Sequence, residues 1–437
     1  MNFTRPTSKS IPLAILGLFA FFVAPTVSAQ INNDIFSLTP KRYYSFGSFG
    51  KKKFQSLDNM VQGLDSANTK QLDSVKNDYF ITKEEEEFEE SARGMSPLRR
   101  NLHWGFLHYN KDNEYLQRIN PGETFFGNQL WGFNTFTLGK SDDQTETIQL
   151  SLGGLVKYDF GGYESKLRFS PIMQIKLQTK KGTLIAGNLI SQTQHNMPEP
   201  MINYDLAFKR PIEYGTQVFK KTKHWDTEAW LDWRQLIDTH TFRQEIISFG
   251  TRLEYQLFES HQHALNAKIQ GYLMLLHRGG EGFRYFLPLM NRGTYSAGFT
   301  LFSDRRKVKY CNIPKFTLNA WAFYQKDFSP QLSQPMREGT ALMVNVGIRL
   351  NRSQQLIFTG YQANKFTTPL GAQFYQCVNE SNPIYFSDTR NIVAARFIQR
   401  FHLVSQRFQL ESRLEPIFDL DEKFLLYSLG LYLKYAI

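Results

Sequence analysis

The residue types that could do chemistry are spread along this chain of 437 residues and form no recognised catalytic motif. The sequence has no G-x-S-x-G elbow, no H-E-x-x-H pair and no glycine-rich phosphate loop. Ser260 and His261 are neighbours, but a hydrolase needs a nucleophile and a base that meet in space. We therefore expect no enzymatic activity. The lesser alternative is a hydrolase whose Ser and His meet across strands and so leave no motif.

Basic residues recur at alternate positions with apolar neighbours, which places them on the polar face of extended strands. We predict that seven of them line a pore: Lys157, Lys166, Arg168, Lys176, Arg252, Lys268 and Arg349. The counter-charges at equivalent positions are Glu228, Asp232, Glu254, Glu411 and Glu415. Two interpretations stay open. The charges pair and stiffen a wet interior, or the basic residues favour anionic solutes such as acidic sugars or phosphates.

Segment 191–211 is a long stretch outside the alternating pattern, and it carries His195, Glu199 and Asp205. A connection of this length can fold inward or bind a partner. The His, Cys, Asp and Glu residues match no metal-binding spacing, and the chain has only two cysteines. We expect no metal and no cofactor.

Alternation of apolar and polar residues begins near residue 101 and continues to the end of the chain. In one such run, Leu342, Val344, Val346 and Ile348 alternate with residues that include Asn345. Strands of soluble proteins average about 5 or 6 residues, whereas tilted membrane strands need about 9 to 11. These runs have the membrane length, and a mean hydropathy of −0.40 is too polar for a bundle of membrane helices. We predict an all-β fold: a transmembrane, antiparallel, up-and-down β-barrel over residues 101–437.

We predict about sixteen strands, or fourteen if one pair is merged or missed. Their expected ranges are 102–109, 124–139, 145–159, 163–178, 182–190, 212–223, 225–237, 245–258, 264–277, 293–303, 315–325, 340–350, 354–361, 391–402, 405–415 and 424–437. Most long connections follow odd-numbered strands, and most short ones follow even-numbered strands. Bacterial barrels have short periplasmic turns and longer outer loops, so both termini should lie in the periplasm.

The two ends of the chain carry targeting signals. Residues 1–29 have a basic start, an apolar stretch and small residues up to Ala29, as in a cleaved secretory signal peptide. At the other end, Leu433, Tyr435 and Ile437 alternate up to the last residue. This ending resembles the signal that barrel-assembly machinery recognises, with Ile437 in place of the usual terminal Phe. We expect an exported protein that is assembled in the outer membrane.

Residues 30–100 differ in character from the rest, and we predict a periplasmic N-terminal segment that is partly helical or disordered. It ends in an acidic run that contains Glu84, Glu85, Glu86, Glu87, Glu89 and Glu90. Such a run is either a solvated stretch or a plug that docks on basic side chains inside the pore.

The long alternating runs, the signal peptide and the last strand together resemble Gram-negative outer-membrane β-barrels. More narrowly, the stretches GNL (187–189), PEP (198–200) and AWLDW (229–233) resemble a porin-like group of Bacteroidota-type barrels. This resemblance implies location and fold. It implies no activity, and no functional residue follows from it.

The sequence therefore predicts a porin-like channel or transport component for small polar solutes, with anionic solutes or glycans among them. The alternative is a closed or plugged barrel that acts in surface-polysaccharide assembly, adhesion or a partner complex. The expected partners are outer-membrane lipid, the barrel-assembly machinery, and a glycan or anionic solute. Nucleic acid is not expected, although the net charge is +11, because the basic residues are spread over many strands of an exported chain.

Overall fold

The computed structural model describes residues 99–436, apart from 140–145, 162–166, 191–194, 238–242, 261–264, 280–287, 304–314, 352 and 404–407. The predicted signal peptide and nearly all of the predicted N-terminal segment lie outside these residues. So do Lys166, Ile437 and the plug candidates Glu84, Glu85, Glu86, Glu87, Glu89 and Glu90.

Sixteen antiparallel strands form one closed barrel within the described residues, which confirms the predicted fold class. Each strand is hydrogen-bonded to the next along the chain, and β1 closes the ring by pairing with β16. The strands are β1 (Arg99–Leu116), β2 (Pro121–Gly139), β3 (Thr147–Asp159), β4 (Leu167–Thr179), β5 (Gly182–Asn188), β6 (Tyr214–Lys221), β7 (Trp225–Gln235), β8 (Glu245–Ser260), β9 (Leu265–Gly279), β10 (Met290–Ser303), β11 (Lys315–Asp327), β12 (Glu338–Arg349), β13 (Gln354–Asn364), β14 (Thr389–His402), β15 (Phe408–Asp419) and β16 (Phe424–Ala436).

The outer face of the barrel is apolar, the reverse of a soluble protein. In β12, Leu342 and Val344 are 49% and 44% exposed, whereas Met343 and Asn345 on the opposite face are buried. A closed ring leaves no strand edge unpaired, so such a wall is stable in lipid. This is the architecture of an outer-membrane β-barrel. No helix among the described residues is both long and apolar enough to cross a membrane.

Aromatic side chains lie near both ends of the barrel. Near the chain termini, the rings of Trp104 and Tyr435 have centroids 5.0 Å apart. Towards the opposite end, Tyr295 and Tyr324 lie 6.2 Å apart on neighbouring strands. Amphipathic rings are enriched at both interfaces between lipid and water, so these residues mark the two borders of the lipid-facing band.

The two ends of the barrel differ in the length of their connections. Turns at the end that carries the termini are short, as at 180–181 and 222–224. The connections 189–213 and 365–388 follow β5 and β13 and therefore share the opposite end. We call this opposite end the long-loop end.

Strand β1 is longer than the sequence predicts. It continues past residue 109 to Leu116 and keeps its register with both neighbours, so that Asp112 lies opposite Thr124 on β2 and Leu429 on β16. The prediction that the first strand ends at residue 109 is therefore wrong. The alternating apolar pattern fails in this part of β1 because its outward-facing side chains are polar.

Candidate functional site

Two long connections fold into the lumen and contact each other there. We call them the inner loops, residues 195–213 and 365–388. The backbone N–H of Asn203 donates to the carbonyl of Leu370 at 2.6 Å, which joins one loop to the other. The sequence left two alternatives for segment 191–211, folding inward or binding a partner. The described part of this segment folds inward.

Aromatic contacts fix the inner loops to the barrel wall. The first loop contains a single helical turn, α1 (Leu206–Lys209), and its Phe208 stacks on Tyr109 of β1 with centroids 4.6 Å apart. In the second loop, Tyr375 contacts Tyr361 of β13 at 4.8 Å. All four rings are buried and belong to one apolar core. At this level the lumen holds packed protein.

His195 attaches the first inner loop to the wall through charge. Its ring stacks on Trp230 at 3.6 Å, Nε2 lies 2.9 Å from Glu213, and Nδ1 contacts Glu228. Burial alone would lower the pKa of this imidazole, but the carboxylates of Glu228 and Glu213 raise it to about 9. Both ring nitrogens are occupied, so His195 is a charged clamp and not a general base.

The other two polar residues that the sequence singles out in this loop are also ion-paired with the wall. Glu199 accepts two hydrogen bonds from Arg396 of β14, at 2.8 and 3.1 Å. Asp205 pairs with Lys111 of β1 at 2.6 Å. His195, Glu199 and Asp205 therefore position the loop on three sectors of the barrel, and the structure does not bring them together as one catalytic group.

Two of the predicted pore-lining residues belong to a buried ion network on β7, β8 and β9. Arg252 lies 3.2 Å from Glu228, and Lys268 lies 2.6 Å from Glu254. Arg252 also lies 3.2 Å from Glu254, which joins the two pairs. In this network the basic and acidic side chains neutralise each other, which is the first of the two interpretations of the inward charges given above.

The remaining described candidates for the pore lining lie on other sectors of the wall. Lys157 pairs with Asp159 and lies in register with Arg168, whose side chain is exposed. Lys176 is half-buried on β4, and Arg349 is exposed at the end of β12. The described candidates thus fall on β3–β4, β8–β9 and β12. They are not gathered in a single ring.

The predicted assembly residues lie on the strand that closes the barrel. Leu433 is in register with His108 of β1, and Tyr435 with Phe106. Both side chains are half-buried. Their role in assembly stays a prediction.

A polar patch interrupts the apolar outer face where β1 pairs with β2, and we call it the seam patch. Its members are His108, Asn110 and Asp112 of β1 with Thr124 and Asn128 of β2. Alternate residues of a strand share a face, and Phe126 and Leu130 of the same β2 face are 41% and 50% exposed. The seam patch therefore lies on the outside of the barrel.

The seam patch lies beside leucines that face lipid. Asn110 is in register with Leu431 and Asp112 with Leu429, and both leucines are 44% exposed. Ionisable side chains at membrane depth are costly and are by default candidates for function. No structural partner inside the barrel explains this patch, because its members face outward.

Two hydrogen-bonded pairs make up most of the patch. His108 Nδ1 lies 2.8 Å from Asn128 Oδ1, and the Thr124 hydroxyl donates to Asp112 at 2.6 Å. The pairs lie four residues apart along the strands, about 13 Å at about 3.3 Å per residue. The Phe126 ring packs edge-on against the imidazole at 5.6 Å.

The His108–Asn128 contact sets the chemistry of the imidazole. Because an amide oxygen only accepts hydrogen bonds, Nδ1 must carry the proton and donate it. In the neutral ring this leaves a lone pair on Nε2, which has no hydrogen-bond partner among the described residues. His108 therefore presents the lone pair of Nε2 on the lipid-facing side of the wall.

A second His–Asn pair has nearly the same geometry. His277 Nδ1 lies 2.7 Å from Asn291 Oδ1 on the outer face of β9 and β10. The Asn291 backbone N–H also donates to the Ser329 hydroxyl. This pair lies far from the β1–β2 seam around the barrel and offers a matched control.

Fold and patch together define an outer-membrane β-barrel with a polar site on its lipid-facing wall. A family model described as lipid A 3'-O-deacylase-type matches residues 97–437, and the chain belongs to this family. Curated proteins give no significant match.

Solved structures of similar fold are remote in sequence. An anion-selective porin from Comamonas acidovorans is 10% identical, with a TM-score of 0.46 over 78% of this chain and 100% of that one. Salmonella typhi OmpF in complex with daunomycin is 8% identical, with a TM-score of 0.47 over 78% and 98%. The outer membrane protein OprD from Pseudomonas aeruginosa is 11% identical, with a TM-score of 0.40 over 78% and 94%.

The family corrects the expectation that the chain is not an enzyme, because it is named for a deacylase. A search of the sequence for catalytic motifs could not find the seam patch. His108 and Asn128 are 20 residues apart and meet only when β1 and β2 pair as a hairpin. The one signal in the sequence was the loss of outward apolar residues at 108–114.

Proposed function

We propose that this protein hydrolyses an ester bond of an acylated lipid at the seam patch. The family's name suggests glycolipids of the lipid A type as the substrate class. The observation that carries the proposal is the His108–Asn128 pair, a base with its orienting partner, on a wall that otherwise faces lipid.

The position of the patch supports a substrate in the outer leaflet. We infer that the termini face the periplasm, and the short turns at that end support this orientation. Asp112 and Thr124 then lie nearer the cell exterior than His108 does. A lipid beside this wall would bring its ester towards His108 and its polar headgroup towards the Asp112–Thr124 pair.

The proposed reaction uses water as the nucleophile. Nε2 of His108 takes a proton as the water oxygen bonds to the ester carbonyl carbon. The Asn128 Oδ1 accepts a hydrogen bond from Nδ1–H and so holds the ring in place, as the third member of a catalytic triad does. The Asn110 amide, on the same face about 7 Å along the strand, donates to the oxyanion. The bond to the alcohol oxygen then breaks, that oxygen takes the proton back from His108, and a carboxylic acid and an alcohol remain.

The test uses the full chain, purified in neutral detergent, with fully acylated lipid A as substrate and release of fatty acid as readout. His108→Gln should lower kcat by about 10²- to 10⁴-fold, because it removes the base. Asn128→Ala should also lower kcat and leave KM nearly unchanged, since Asn128 orients the base and does not bind lipid. Asn128→Asp should restore part of the rate.

The control variants are His277→Gln and Asn291→Ala, which break the matched pair on β9 and β10. Both should keep the wild-type rate. Wild-type activity in His108→Gln, or an equal loss in His277→Gln, would contradict the assignment of the site.

A second candidate is the channel that the sequence predicts, for small polar and in particular anionic solutes. The polar inner wall supports it: Gln217 and Asn345, for example, are buried on the inner face. For passage, the inner loops would have to leave the lumen. In their present position they support the closed or plugged form that the sequence offers as the alternative.

A further inference from the structure

Inside the barrel, a cavity of about 80 Å³ lies between the inner loops and strands β1, β14, β15 and β16. Its exposed lining residues, Pro121 and Glu123, belong to the start of β2, so the cavity is reached from the long-loop end. It lies on the other side of the wall from the seam patch. The cavity is therefore independent of the proposed function.

The polar atoms left unpaired at this cavity are donors. Arg413 lines it with a side chain only 9% exposed, and its Nε and Nη2 have no hydrogen-bond partner among the described residues. The carboxylate of Glu411 is 3.8 Å from Nε, too far for a hydrogen bond. Asn120, which is 1% exposed, likewise lines the cavity with an unpaired Nδ2.

Acidic side chains at the cavity already have cationic partners. Glu199 and Glu415 share Arg396, Asp205 is held by Lys111, and Glu123 is held by Lys209. Among the described cations that line the cavity, Arg413 therefore has no carboxylate at hydrogen-bond distance. A buried guanidinium with open donors is costly unless an acceptor completes it, and its planar fork matches a carboxylate or phosphate.

We propose that the cavity binds a small oxyanion, a carboxylate or phosphate group, through Arg413 and Asn120. A cavity of about 80 Å³ can hold one carboxylate or phosphate group but is too small for a whole sugar. The group belongs either to a free solute or to a lipid headgroup that reaches in from the long-loop end. The site uses none of the residues that the sequence predicts as pore-lining.

Calorimetric titration tests the site on the full chain in neutral, phosphate-free detergent buffer, with inorganic phosphate as the probe. Wild-type protein should show saturable binding. Arg413→Gln should weaken it by about tenfold or more, because charge-assisted hydrogen bonds to the anion are lost. Asn120→Leu, which removes one donor, should also weaken it. The control Arg168→Gln changes an exposed cation outside the cavity and should bind as wild type does.

A second titration uses soluble dihexanoyl phosphatidic acid and distinguishes the source of the anion. Binding of inorganic phosphate supports a free solute. Binding of the lipid alone, with the same dependence on Arg413, supports a headgroup. Gel mobility before and after boiling should show that each variant is a folded barrel. If neither probe binds saturably, or if folded Arg413→Gln and Asn120→Leu bind as wild type does, the inference is overturned.

Discussion

At the scale of single residues, this barrel holds charged groups in two environments with different consequences. Inside, Glu199 and Arg396 neutralise each other where the inner loop meets the wall. Outside, Asp112 lies among leucines that face lipid and bonds only to the Thr124 hydroxyl among the described residues. The inner pair has a structural explanation, whereas the outer residue has none, which is why the seam patch is the better candidate for chemistry.

Replacing Glu199 should destabilise the folded barrel. Glu199→Gln removes a carboxylate that neutralises the buried guanidinium of Arg396. Breaking a buried ion pair costs about 3–5 kcal/mol. The measurement is the temperature at which the compact gel band converts to the unfolded one. Glu123→Gln is the control, because its partner Lys209 is 45% exposed and a surface pair contributes about 0–1 kcal/mol. Equal shifts in both variants would contradict this account.

Alternation in the sequence was enough to place Arg252 and Glu254 on the inner face, because every second residue of a strand shares a side. It could not reveal that they share an ion network with Glu228 of a neighbouring strand. The seam patch was harder still. Pairing His108 with Asn128 requires the register of the β1–β2 hairpin, which a single sequence does not specify.

At the scale of elements, the strands were predictable and the inner loops were not. Fifteen of the predicted ranges, all except that of β1, fall within a few residues of the observed strands, because most of these strands present apolar residues to lipid at alternate positions. The partner of loop 195–213 is loop 365–388, and the eight strands β6 to β13 lie between them in the chain. No local pattern identifies such a contact.

Attachment of the first inner loop should depend on pH through His195. Its pKa is raised from 6.5 to about 9 in the folded chain. The stabilisation is therefore complete below about pH 6.5 and is lost as the pH rises through about 9. Trypsin cleavage after Lys209 should accelerate between pH 7.5 and 9.5, once the pH dependence of trypsin itself is corrected for with a free peptide. In His195→Gln, cleavage should be fast at both pH values. A wild-type rate independent of pH would contradict the charged clamp.

At the scale of the whole molecule, the first inner loop contacts two separate sectors of the wall from inside the lumen. The rings of Phe208 and Tyr109 meet at β1, and those of His195 and Trp230 meet at β7. A barrel of sixteen strands is wide enough for a water-filled channel, so we propose that the loops, and not the strand number, close the lumen.

The full chain in a planar lipid bilayer should therefore show little steady conductance. Shortening the second inner loop, by replacing 366–387 with a short Gly–Ser linker, should produce large steady openings, because the polar inner wall is then exposed to water. The matched control shortens 328–337, another connection at the long-loop end. Large steady conductance in the wild-type protein would contradict the closed lumen and favour the channel.

The most direct test of the central claim is the mass spectrum of outer-membrane lipid A from cells that express this protein. Cells with the wild-type chain should contain lipid A that has lost one ester-linked acyl chain. Cells with His108→Gln at equal barrel abundance should keep the fully acylated form, and cells with His277→Gln should match wild type. Fully acylated lipid A in all three, with the wild-type barrel folded in the outer membrane, would contradict lipid A deacylation at the seam patch.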